Sequence, residues 1–88
     1  MTDIQSFHVC IEGQVQGVGF LAWIASKATS LGLSRWVRNC RDGLVEAVFS
    51  GDEKSVKLML EKCRYGPPLA TVTNLDDQPC APPDTSFH

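Results

Sequence analysis

Between Gly13 and Gly19 the chain reads Gly-Gln-Val-Gln-Gly-Val-Gly, three glycines in seven residues. Residues without a Cβ let the backbone turn tightly or let another group approach it closely. Placed between a strand and a helix, Gly17 and Gly19 can aim several backbone N–H groups into one concavity. The N-terminus of the following helix adds partial positive charge, so a phosphate-sized anion is the natural occupant. The loop is no Walker A sequence, because no Lys-Ser/Thr follows its last glycine, and it lacks the G-x-G-x-x-G order of dinucleotide sites. On spacing alone, an anion cradle and a structural tight turn both account for it.

Other reactive side chains read more plainly. Asn39 precedes a turn, where an Asn carboxamide commonly caps a hairpin. Cys40 beside it has no neighbouring His to activate it as a nucleophile. Cys10, Cys40, Cys63 and Cys80 are irregularly spaced, with no C-x-x-C pair and only two histidines in the chain, so four reduced thiols are expected rather than a disulfide framework or a zinc site. His8 reads as a solvated strand residue, and His88 lies at the end of the chain. Asp52-Glu53 suits a helix start and Asp76-Asp77 a solvated loop. Neither pair has the look of a catalytic carboxylate dyad.

The elements that must position these residues follow from periodicity. Phe7 to Glu12 alternates, with Phe7, Val9 and Ile11 on one face, and predicts a half-buried strand that feeds the glycine loop. Phe20, Ile24, Ala28 and Leu31 form the apolar stripe of a helix that Gly32 ends, with Phe20, Trp23 and Ile24 as packing residues. Arg35 to Cys40 and Leu44 to Phe49 are strands joined by the turn Arg41-Asp42-Gly43. Ser50 and Asp52 offer N-cap oxygens to a second helix, whose buried face is Val56, Met59, Leu60 and Cys63 and whose end is Gly66-Pro67-Pro68. Leu69 to Leu75 predicts a fourth strand. Asp76 to Pro83 is polar and proline-rich and cannot carry a central strand. The order βαββαβ, without repeats or a long linker, predicts a single domain over residues 1–88 of α+β class, a ferredoxin-like sandwich with two helices on one face of an antiparallel sheet.

Taken in order, Gly13 to Phe20, Leu31-Gly32-Leu33, Trp36-Val37-Arg38-Asn39, Asp42 to Ala47 and Gly66-Pro67-Pro68 closely resemble the acylphosphatase family, over about Val9 to Val72. The resemblance implies the same fold, no metal or cofactor, and hydrolysis of the carboxyl-phosphate anhydride of small acyl phosphates. It places the phosphate cradle at Gln14, Val15, Gln16, Gly17, Val18, Gly19 and Phe20, and a water-orienting amide at Asn39. Small acyl phosphate or inorganic phosphate is the implied ligand.

The position where the family carries a phosphate-clamping arginine is Leu21. A guanidinium presents five donors in a planar fork matched to phosphate, whereas leucine presents none. Arginines in analogous phosphoryl transfers contribute on the order of 10³–10⁵ in rate, so the substitution implies impaired turnover. A non-catalytic anion-binding or protein-interaction module on the same fold is the alternative. Among nearby cations, Lys27 lies six residues on, roughly 9 Å along the helix axis at about 1.5 Å per residue. Strand alternation puts Arg38 on the face opposite Asn39. Arg41, two residues past Asn39, has matching parity and a long side chain and is the candidate substitute. Family members close with a Phe-x-Ile-Arg-like strand; here the last residues are Phe87-His88, which predicts a short or absent closing strand and an open sheet edge.

Composition narrows the partners. Eight basic and ten acidic side chains give a formal net charge of −2, the wrong sign for a surface that binds nucleic acid or anionic lipid. No apolar run approaches the roughly 20 residues of a membrane helix, and the start of the chain lacks the basic-then-apolar layout of a signal peptide. A cytoplasmic monomer is the expectation.

Overall fold

The computed structural model describes residues 4–81. Strands β1 (Ile4–Gln14), β2 (Ser34–Asn39), β3 (Val45–Asp52) and β4 (Thr71–Pro79) and helices α1 (Phe20–Ser30) and α2 (Glu53–Tyr65) follow the order βαββαβ. The sheet runs β2-β3-β1-β4, and every neighbouring pair is antiparallel. Each helix thus links two strands that are separated by a third: β1 and β2 flank β3, and β3 and β4 flank β1. Right-handed crossovers return both helices to the same side of the sheet. This is the ferredoxin-like α+β fold that the residue pattern predicts.

The core lies between that side of the sheet and the helices. Val9 and Ile11 of β1, Val45, Ala47 and Phe49 of β3, Phe20, Ile24 and Ala28 of α1, and Val56, Met59 and Cys63 of α2 are all fully enclosed. Strand alternation and the helical stripes therefore deliver the same apolar set to one layer. Phe20 meets Trp23 edge to face, with ring centroids 5.5 Å apart. Asp52 caps α2 as its position suggests, its carboxylate accepting from the N–H groups of Lys54 and Ser55 at 3.1 and 3.3 Å. Ser50 does not share in this cap; it belongs to β3, and the buried Ser6 hydroxyl donates to it at 2.8 Å.

Three local expectations need correcting. β4 begins two residues later than Leu69 and runs on through Asp76, Asp77 and Gln78 to Pro79. Its polar residues lack the alternation of a half-buried strand because β4 has one strand neighbour, β1, among the described residues, and backbone pairing rather than apolar burial holds it. Asp76-Asp77 is therefore strand, with the Asp77 carboxylate 3.5 Å from Arg64 of α2. His8 is half-buried rather than solvated and is bonded to Glu46 at 2.6 Å. The expectation of a short or absent closing strand concerns residues 82–88, which lie outside the described residues.

β1 and β4 come very close at the bulge between Glu12 and Gly13. A Cβ on Gly13, at φ +133°, would sit 2.0 Å from the Thr71 carbonyl oxygen. Only glycine lets the strand leave the sheet here and enter the loop that follows.

Candidate active site

The loop from Val15 to Gly19 carries the chain from the end of β1 to the start of α1. Gly17 and Gly19 have φ of 74° and 77°, left-handed values that any side chain would resist. Gly19 is the N-cap of α1, and among the described residues no side chain caps that end; its first turn holds no acidic residue. The first N–H groups of a helix lack intrahelical partners, so this end offers donors and partial positive charge to an anion. Val15 is buried and Val18 packs on the core, which fastens the loop at two points.

Asn39 reaches the same place from the far side of the sheet. It is the last residue of β2, and it pairs with Val45, which pairs in turn with Ile11. Residues opposite one another in a ladder share a face, so Asn39 lies on the helix side with the core residues. The turn that follows is closed by the Cys40 N–H donating to Leu44 O at 2.8 Å and the Gly43 N–H donating to Cys40 O at 3.2 Å. The Asp42 carboxylate accepts from the Leu44 N–H at 3.2 Å.

Val15, Gly17, Gly19, Phe20, Leu21, Ala22 and Asn39 together line one cleft of about 200 Å³. That volume suits a small ligand rather than a large cofactor. Of the residues singled out in the sequence, the tertiary structure thus gathers the two loop glycines, Val15, Phe20, Leu21 and Asn39. Gln14, Gln16 and Val18 are not among the lining residues. Gln14 is paired with Thr71 in the sheet. The Gln16 carboxamide donates to Cys40 O at 2.8 Å and to Leu44 O at 3.0 Å, tying the glycine loop to the turn beyond Asn39. Nothing local in the sequence announces this tether, since its partners lie 24 and 28 residues away.

Leu21 is half-buried and packs on the core at the edge of the cleft, so the cleft wall at this position is apolar. Arg41 is exposed in the turn and does not line the cleft. Arg38 points to the opposite face of the sheet, as alternation predicts. There its Nε donates to Glu46 Oε1 at 2.6 Å, and its guanidinium lies 5.1 Å from the Trp36 ring centroid. The lining residues include no titratable group; polar character comes from backbone amides and the Asn39 carboxamide. Cys63 is sealed in the core, where burial pushes its thiol up to about 12. Among the described residues no helix is long and apolar enough to cross a membrane.

Comparison with known proteins agrees with this fold. An acylphosphatase from Methylococcus capsulatus is 56% identical over 69 residues, covering 78% of this chain and 75% of that protein. One from Rhodospirillum rubrum is 51% identical over 81 residues, covering 92% and 89%. The structure of an acylphosphatase from Coxiella burnetii superposes with a TM-score of 0.89 at 35% identity, covering 97% of this chain and 90% of that one. With the acylphosphatase family model also matching residues 7–88, the chain belongs to the acylphosphatase family.

Proposed function

We propose that this protein is an acylphosphatase-type hydrolase of small acyl phosphates whose turnover is limited by the side chain at position 21. The observation that carries the proposal is the meeting of Asn39 with Gly17, Gly19 and Leu21 in one cleft at an uncapped helix N-terminus. In this reading the loop and first-turn N–H groups hold the phosphoryl oxygens. Asn39 accepts from and donates to a water and aims it at phosphorus on the side away from the carboxylate. A bond forms from the water oxygen to phosphorus as the bond from phosphorus to the acyl oxygen breaks. Carboxylate departs, and the water's proton passes to solvent or to the products. Donors already in place as charge redistributes over the phosphoryl oxygens lower the barrier.

The family resemblance puts a guanidinium where this chain has Leu21. In this reading its absence leaves the backbone donors without a charged partner, so turnover is slowed while the chemistry is unchanged. The distinguishing experiment is hydrolysis of a small aromatic acyl phosphate by the wild type, Leu21→Arg and Asn39→Ala. The expected order is Leu21→Arg fastest, wild type slow, and Asn39→Ala at background. A Leu21→Arg protein that stays folded and gains nothing would overturn the assignment of position 21. A wild type unaffected by loss of the Asn39 carboxamide would overturn the role of Asn39.

A further inference from the structure

The sheet face turned away from the helices carries its own row of chemistry. Opposite partners across the four strands are Arg38, Glu46, Cys10 and Asp76. His8 stands two residues before Cys10 on β1, on the same face. The His8 Nε2 and Glu46 Oε2 atoms are 2.6 Å apart, and one donor atom each from His8, Cys10 and Glu46 all lie within 4.8 Å of one another. We propose that His8, Cys10 and Glu46 form a binding site for one zinc-type divalent cation on this face.

The donor set decides the class of ion. One imidazole nitrogen, one thiolate sulfur and one carboxylate oxygen suit zinc or cobalt and are poor ligands for magnesium or calcium. Donors around tetrahedral zinc sit about 3.3–3.8 Å apart, given bonds of about 2.0–2.3 Å. Reaching that spacing asks the His8 and Glu46 atoms, now 2.6 Å apart, to part, while the three donor atoms already lie within 4.8 Å of one another. Two adjacent strands hold all three residues on a hydrogen-bonded ladder, so the backbone is already in place. Arg38 bonds the other Glu46 oxygen and fixes the carboxylate, the supporting contact that ligating carboxylates commonly have. The fourth position is left to water, and Asp76 stands opposite Cys10 on the neighbouring strand.

Charge also balances. Thiolate and carboxylate neutralise the dication, and Arg38 and Asp76 offset one another. Cys10 enters the site as a thiol, whose proton must leave for the sulfur to ligate. Binding replaces that proton with the metal, forming the metal–sulfur bond and releasing one proton to solvent. For His8 Nε2 to ligate, the hydrogen it shares with Glu46 Oε2 leaves that nitrogen and is exchanged through solvent onto Nδ1, so the net release remains the one thiol proton. Spacing along the chain does not reveal the site because its third ligand comes from another strand, 38 residues after His8.

The test is a cobalt titration of the full chain under a non-coordinating reductant. The expected result is a thiolate-to-cobalt charge-transfer band that saturates at one equivalent and is displaced by zinc. A Cys40→Ser/Cys80→Ser double variant retains the band, Cys10→Ser loses it, and His8→Gln weakens cobalt binding at least tenfold. Zinc raises the thermal midpoint of the wild type and leaves that of Cys10→Ser unmoved, a readout independent of colour. No band in the wild type at excess cobalt overturns the proposal. So does a band that survives Cys10→Ser or disappears with Cys40 and Cys80, and so does a wild-type midpoint indifferent to zinc.

Discussion

The Gln16 carboxamide donates to the main-chain carbonyl of Cys40 at 2.8 Å, so the glycine loop and the residue after Asn39 are held at a set distance. A second bond, to Leu44 O at 3.0 Å, prevents the carboxamide from swinging. Asn39 and the loop belong to different elements, and this exposed side chain bonds the loop to the turn that directly follows Asn39. Gln16→Ala is expected to lower stability by about 1 kcal/mol, the net worth of such bonds. Its larger effect is on catalysis: in a Leu21→Arg background the KM for an acyl phosphate should rise about tenfold. Gln16→Glu should be worse, since an acceptor would then face two carbonyl oxygens beside the proposed anion site. Urea unfolding and steady-state hydrolysis measure the two effects separately.

Leu21→Arg is expected to raise hydrolysis by on the order of 10³-fold or more, the scale of arginine contributions to phosphoryl transfer. The cost to folding is modest, about 1 kcal/mol, because the Leu21 side chain is half-buried and the arginine stem can cover part of the same surface. The gain should appear in kcat as well as in phosphate affinity. Single-turnover kinetics and inhibition by inorganic phosphate separate them.

Two glycines should respond to alanine very differently. At Gly19 the φ of +77° is the obstacle and nothing lies within 4 Å of an added Cβ, so Gly19→Ala should cost about 1–2 kcal/mol. At Gly13 the Cβ would also meet the Thr71 carbonyl at 2.0 Å, forcing β1 and β4 apart. A loss of about 3 kcal/mol or more is expected there, a fall in Tm of more than about 12 °C at about 4–8 °C per kcal/mol for a chain of this size. Calorimetry on both variants checks the contrast.

Acid should weaken the sheet through Glu46. The His8 hydrogen bond, then that of Arg38, holds the Glu46 carboxyl below its ordinary value of 4.5, against the opposing effect of burial. A carboxyl depressed in the folded state contributes stability that is fully present above its unfolded value. That contribution is lost as pH falls through the lower folded value. The stability gap between wild type and Glu46→Gln should therefore be widest above about pH 5 and close below pH 4.5. Urea midpoints measured from pH 7 down to about pH 3 test the sign.

Thiol chemistry should distinguish the cysteines. Cys63 is buried and its thiol is raised to about 12, so a thiol-specific reagent should leave it unmodified in the native chain. Exposed Cys80 should react without unfolding. Mass spectrometry of labelled peptides across a urea series should show Cys63 modification following the global unfolding transition.

Element order, the helix-facing residues and the glycine loop were legible in the amino-acid sequence, because each depends on short-range facts. Alternation in Val9 and Ile11, the stripe of Phe20, Ile24 and Ala28, and the Asp52 cap all act within a few residues. The family was legible for a related reason: its motifs are contiguous runs, Gly13 to Phe20 and Trp36 to Asn39 among them. What only the tertiary structure decided are the cross-strand relationships. His8 and Arg38 find Glu46 and Ser6 finds Ser50 through a pairing register that no local pattern encodes, and Gln16 finds Cys40 where the loop after β1 meets the turn after β2. The continuation of β4 through Asp76 and Asp77 belongs with them. A strand on that side of the sheet is held by its backbone partner, and its side chains need not alternate to say so.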